Sequence, residues 1–138
     1  MNILVINGPN LNLLGERDIS IYGKETLDEL MSQLNSKKFE FHFFQSNHEG
    51  EIIDIIHQKR NWADGIIINP GAFTHYSYAI RDAISSVNFP VVEVHLSDIK
   101  TRENFRKKLV LSDVCYDTIF GKGKAGYLDA VNKIKDIA

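Results

Sequence analysis

Arg17 and Tyr22 stand five residues apart in "GPNLNLLGERDISIYG", a sixteen-residue stretch bounded by Gly8 and Gly23. A phenol ordinarily loses its proton only near pH ~10, so it works as a base at neutral pH only with a cation beside it. Arginine is always charged and can be that cation. The pair has the makings of a base and its activator carried on one loop; the plain alternative is an exposed arginine and a packed tyrosine. Further along lie His75, Glu93, His95 and Ser97. These can hold or transfer protons and bind oxygen atoms, provided that the fold brings them together.

The chain that must do so has 138 residues, 43% of them hydrophobic and 25% charged, the size and mixture of one globular domain over 1–138. Sixteen basic against eighteen acidic residues leave a net charge of −2, with no chain-wide attraction for nucleic acid or for an anionic membrane. There is no charged lead with an apolar core and cleavage site, and no apolar run approaches the roughly 18 residues of a membrane span. A soluble, cytoplasmic protein is expected. The single cysteine, Cys115, sits in an apolar run and reads as a small core residue.

Two periodicities alternate along the sequence. Ile3 to Ile6, Phe39 to Phe44, Ile66 to Ile68, Val91 to Val94 and Val114 to Phe120 are short runs rich in β-branched or aromatic residues, and read as five strands. Between them, Leu27, Leu30, Met31 and Leu34 share a helical face behind a Thr26/Glu29 capping box. Ser46 and Glu49 repeat that device before Ile52, Ile53, Ile55 and Ile56. His75 to Val87 and Gly126 to Ile137 read as helices, with a shorter one near Thr101 to Lys108. Strands that read as nearly continuous apolar runs, alternating with helices, predict a flavodoxin-like doubly wound parallel sheet of five strands in the order 2-1-3-4-5, with helices on both faces.

Ligands of such sheets bind beyond the carboxyl ends of the strands, where the strand order reverses. The first strand runs into Asn7 and Asn10, the third into Asn69-Pro70-Gly71 and on to His75, the fourth through Glu93 to His95, Leu96 and Ser97. Each residue alone could be ordinary turn chemistry or a helix cap. Together, at the ends of three neighbouring strands, they predict one polar crevice. The Gly8–Gly23 stretch joins the same edge and reads as a lid, with Gly15 and Gly23 as hinges and Leu11, Leu13, Leu14, Ile19 and Ile21 able to pack on the body. "GKGKAG" from Gly121 fits a dinucleotide fingerprint, but no strand or ribose-binding acid follows it, so it reads as a strand-to-helix turn. No His, Cys, Asp or Glu spacing suggests a metal site.

Three blocks, "INGPNLNLLGERDISIYG", "NPGAFTHYSYAIRDA" and "VEVHLSDIKTRENFR", resemble those of the type II 3-dehydroquinate dehydratases, in order and over nearly the whole chain. The resemblance implies a lyase of the shikimate pathway, the route of aromatic amino acid biosynthesis, that reversibly converts 3-dehydroquinate to 3-dehydroshikimate and water without cofactor or metal. It implies that Tyr22 removes the proton beside the ketone, with Arg17 helping to keep it ionised, and that Asn10 stabilises the enolate. His75 would protonate the leaving hydroxyl, with Glu93 as its partner. Asn69, His95, Ser97, the amide of Leu96 and Arg106 would hold the substrate's hydroxyls and carboxylate. Asp82 would reach the site of a neighbouring subunit, in a dodecamer built from trimers. Elimination of a β-hydroxyl next to a ketone does need a base, a donor for the developing oxyanion and an acid. Asp18-Ile19 departs from the Glu-Pro common after the lid arginine, and Asp98 and Lys100 stand in place of Asn and His. The alternative is a non-catalytic flavodoxin-like module that binds FMN or receives a phosphoryl group, though a receiver would want clustered acids where this chain has Asn7 and Asn10.

Overall fold

The computed structural model describes residues 1–99 and 102–137; Lys100 and Thr101, where one departure and the start of the shorter expected helix fall, lie outside the described residues. Five strands, β1 (Asn2–Asn7), β2 (Glu40–Gln45), β3 (Gly65–Asn69), β4 (Val91–His95) and β5 (Asp117–Phe120), form one parallel sheet ordered β2-β1-β3-β4-β5. The helices are α1 (Ile19–Tyr22), α2 (Leu27–Ser32), α3 (Glu49–Lys59), α4 (Tyr78–Ser85) and α5 (Ala125–Ile137).

Both faces of the sheet are covered, which is why its central strands are mostly apolar, with Glu93 the charged exception inside β4. Ile3, Val5, Ile67, Val92 and Val94 point to one side, against Leu30 and Met31 of α2 and Tyr127, Ala130 and Ile134 of α5. Leu4, Ile6, Ile66 and Ile68 point to the other, against Ile52 and Ile56 of α3 and Ile80 and Ile84 of α4. Burial of one such isoleucine contributes about 1.5–3 kcal/mol relative to leaving it exposed. Among the described residues no helix is long and apolar enough to cross a membrane.

Local chemistry moves several boundaries. Thr26 caps α2 as expected, its Oγ1 accepting from the Glu29 amide at 3.2 Å. The Ser46/Glu49 box does not form: α3 begins at Glu49 itself, Ser46 Oγ accepts from the His48 amide, and the Glu49 carboxylate instead takes a 2.6 Å hydrogen bond from Ser77. The expected His75–Val87 helix is divided, because Ser77 caps α4 by accepting from the Ile80 amide. Gly71–His75 ahead of it is a separate 3-10 turn. Only Asp117–Phe120 of the fifth apolar run is strand, since Ser112–Val114 folds as a 3-10 turn that Arg81 grips through Asp113 and the Val110 carbonyl.

The lid stretch is structured rather than open, with a 3-10 turn at Leu11–Leu13 and the single turn α1 ending in Tyr22. Of the five residues able to pack on the body, Leu11 and Leu14 join the core, whereas Leu13, Ile19 and Ile21 are exposed at 40%, 46% and 37%. A one-turn helix offers the core one inner side, and Tyr22 takes it.

Candidate active site

Close approach of two strand ends shapes the floor of the site. Gly8, after β1, donates its amide to the Asn69 carbonyl at 2.7 Å, and a Cβ there would come within 2.7 Å of the Pro70 carbonyl oxygen. The chain then turns through Asn10 at φ 70°, a left-handed conformation that asparagine tolerates, with its amide held at 2.9 Å by Asn47 Oδ1. On β3, Asn69 is fixed from behind: its Nδ2 donates to the buried Tyr127 hydroxyl at 3.1 Å, and that hydroxyl donates to Asn7 at 2.6 Å.

Beyond these ends lies a pocket lined by Asn10, Arg17, Tyr22, Asn69, His75, His95, Leu96, Ser97 and Arg106, nine of the residues singled out in the sequence, together with Arg102. The turn of "GKGKAG" helps to hold its rim, because the amides of Gly121 and Gly123 donate to the carbonyls of Ser97 and Leu96 at 3.1 Å. Two of the expected residues stand outside. Glu93 is fully buried behind the wall, and Asp82 is exposed on α4.

The Gly8–Gly23 stretch brings phenol and guanidinium together, though not as the sequence alone suggested. Arg17 lies over the Tyr22 ring, 4.2 Å from its centre, a cation–π contact. The phenol oxygen is met by Arg102, whose Nη1 donates to it at 3.2 Å and reaches Ser97 Oγ at 3.4 Å. That hydrogen bond, above all, holds the Arg102 guanidinium more firmly protonated than usual. Arg102 lies in the quoted third block but 80 positions from Tyr22, and only the fold joins them. Arg106 is braced by a 2.7 Å bond from its Nε to Glu103.

Glu93 does not partner His75. It pairs with His95, Nε2 to Oε2 at 2.5 Å, because residues two apart on a strand share a face. His75 instead bonds the Lys108 carbonyl through Nδ1 at 2.8 Å. A carbonyl only accepts, so Nδ1 carries hydrogen and Nε2 is left to take up and deliver a proton. His75 also closes a 3-10 turn instead of opening the expected helix. Burial is what chiefly pushes this imidazole below its usual range, with His95 and Arg106 adding to that, while the Lys108 carbonyl and the Glu93 charge oppose it.

Cys115 is partly buried, and burial pushes its thiol up, which suits an inert packing residue. Among the described residues, no group of three His, Cys, Asp or Glu side chains could hold a metal ion. Chemically, the pocket joins a phenol between two guanidiniums, an imidazole with a fixed tautomer, and a ring of amide and hydroxyl groups. Such a set suits proton transfer on a small, oxygen-rich anion.

Known proteins are similar to this chain in sequence and in fold. Residues 1–135 match the family described as "Dehydroquinase class II". A 3-dehydroquinate dehydratase of Caldicellulosiruptor saccharolyticus is 54% identical, over 98% of this chain and 97% of that protein. The crystal structure of a type II dehydroquinase from Butyrivibrio crossotus superposes with a TM-score of 0.95 at 50% identity, covering 98% of this chain and 97% of that one. A type II dehydroquinase from Propionibacterium acnes does so with a TM-score of 0.92 at 38% identity, over 96% and 94% of the two chains. With the match running nearly end to end in both sequence and backbone, the chain belongs to the class II dehydroquinase family.

Proposed function

We propose that this pocket dehydrates 3-dehydroquinate to 3-dehydroshikimate through an enolate. Tyr22, as phenolate, takes the proton on the carbon beside the ketone, and the electron pair of that C–H bond moves onto the ketone oxygen. Asn10 stabilises the charge there. The enolate then collapses to the conjugated enone as the β-hydroxyl departs, and His75, having taken up a second proton at Nε2 from solvent, supplies the proton that makes it water. Tyr22 ends with one proton more and His75 with one fewer, so transfer through solvent resets the pair.

A single observation carries the reading: the Tyr22 hydroxyl accepts from Arg102 and its ring lies against Arg17, at a pocket that His75 also lines. The Arg102 guanidinium thus faces the oxygen that takes the proton in this reading. The remaining residues suit the substrate. In this reading Asn69, His95, Ser97 and the Leu96 amide, which line the pocket, hold hydroxyls, and Arg106 offers its guanidinium to the carboxylate. Nothing in the pocket favours FMN or a phosphoryl group over this anion.

Asp82 serves a neighbouring subunit in this reading, since it is exposed and away from its own pocket. The assembly is a dodecamer of trimers working in the cytoplasm; sedimentation measures its size, and a monomer at micromolar concentration contradicts it. The roles are tested by Tyr22→Phe, which keeps the ring and removes the proton acceptor. Its kcat should fall about 10²–10⁴-fold with substrate binding largely kept. An equal loss of binding and turnover would give Tyr22 a packing role instead.

A further inference from the structure

Asn7 and Asn69 end β1 and β3 in paired register, so their amides lie side by side on the face of the sheet that α5 covers. Both are buried, and buried amides need partners. Helix α5 brings them one hydroxyl. Gly126 lets the helix come close, since a Cβ there would lie 3.2 Å from Val94 Cγ1, and the next residue, the buried Tyr127, reaches both amides. The donors run in one direction: the Gly71 amide to Asn69 Oδ1 at 3.2 Å, Asn69 Nδ2 to the Tyr127 oxygen at 3.1 Å, that hydroxyl to Asn7 Oδ1 at 2.6 Å, and Asn7 Nδ2 to Met31 Sδ at 3.5 Å. No link can be reversed alone. A backbone N–H only donates, so Gly71 takes the oxygen of Asn69, and the one hydrogen of the phenol, given to Asn7, leaves the phenol oxygen to accept. Burial pushes this phenol above its usual range, with the Asn69 bond opposing, so it keeps its hydrogen at neutral pH.

We propose that Tyr127 is a positioning residue for substrate binding: its hydroxyl, held by Asn7, fixes which way the Asn69 amide faces, so that Asn69 presents its second Nδ2 hydrogen to an oxygen of the bound anion. Asn69 lines the pocket, and one hydrogen of its Nδ2 is left over from the bond to Tyr127. The two ends of an amide have nearly the same shape and opposite hydrogen-bonding character. Turned over, this one would set its oxygen against the oxygens of an anion. Without the phenol hydroxyl, only the Gly71 bond opposes that turn, and Asn7 loses its donor as well. A contact made with substrate both before and during the reaction acts on KM rather than on kcat.

The inference rests on Asn69 holding substrate, and the experiment separates the two. Tyr127→Phe keeps the ring in the core and removes only the hydroxyl. Its KM for 3-dehydroquinate should rise about 5–10-fold, with kcat changed much less. Asn69→Ala should raise KM at least as far, and adding Tyr127→Phe to it should raise KM no further, because Tyr127 acts only through that amide. A packing role would lower the Tm of Tyr127→Phe and leave its KM as in the wild type, and that result overturns the proposal. So does a double variant whose KM rises by the product of the two single effects. Should Tyr127→Phe fail to fold, Asn7→Leu removes the acceptor of the phenol hydrogen and keeps the phenol; its KM should rise in the same direction, and an unchanged KM overturns the proposal. An Asn69→Ala variant with wild-type KM refutes substrate binding by Asn69 and the proposal with it, whereas a raised KM in Asn69→Ala beside a normal one in Tyr127→Phe refutes the positioning role alone.

Discussion

Tyr22 has Arg17 against its ring face and Arg102 against its oxygen, and the two contacts differ in kind. A charge over the ring is a cation–π interaction, which lysine can partly reproduce. A guanidinium bonded to both the phenol oxygen and Ser97 uses a planar fork that lysine lacks. A charged hydrogen bond is worth about 1.5–3 kcal/mol, so Arg102→Lys should lower kcat about 10–100-fold, and Arg17→Lys less. Steady-state rates of both folded variants decide the matter; a greater loss in Arg17→Lys would restore Arg17 as the main activator. The sequence showed the lid pair because its members are five residues apart, but hid Arg102, whose partner is 80 positions away. The Glu93–His95 pairing was open to reading, since alternate residues of a strand share a face. His75 offers a test in pH. Burial holds its folded-state pKa below the usual value near ~6.5, so above that pH neither folded nor unfolded chain binds the proton and His75 contributes nothing. Below it the unfolded chain takes the proton first, and stability falls. The Tm of the wild type should therefore drop more steeply than that of His75→Asn between pH 7 and 5; parallel curves would mean that burial does not suppress this proton.

The stretch that carries Arg17 and Tyr22 ends at Gly23, whose φ of 86° and ψ of 178° lie in a region open essentially to glycine alone. A Cβ there meets nothing within 4 Å, so the demand is conformational rather than steric crowding by neighbours. Gly23→Ala should cost about 1–3 kcal/mol of local strain. Because the strain is released by reorienting α1, it should appear as lost turnover more than as a lowered Tm. Full activity with an unchanged fold would show that α1 needs no fixed exit. Strands were the legible elements, since β-branched runs buried on both faces leave little choice of conformation. Turns were not. Whether Ser46 caps α3 or Ser77 divides the expected His75–Val87 helix depends on Glu49 and Ser77 meeting across 28 residues.

At the scale of the molecule, the order β2-β1-β3-β4-β5 places the ends of β1, β3 and β4 side by side. That neighbourhood is what turns scattered Asn10, Asn69, His75 and His95 into one pocket. Topology was legible because alternating apolar strands and amphipathic helices in a short chain admit few parallel arrangements. Most of the pocket followed from it, as the strand ends could be read directly. The bonding within the pocket did not follow, because Arg102 and Tyr127 act on residues distant in sequence. Fold, lid and pocket serve one claim, that this chain turns over 3-dehydroquinate by moving protons with its own side chains. The direct measurement adds 3-dehydroquinate to the purified protein in the presence of a chelator and follows the enone absorbance of 3-dehydroshikimate. Steady growth of that absorbance, proportional to protein concentration and lost in Tyr22→Phe, is expected. No absorbance at high protein concentration, or equal growth in Tyr22→Phe, would contradict the claim.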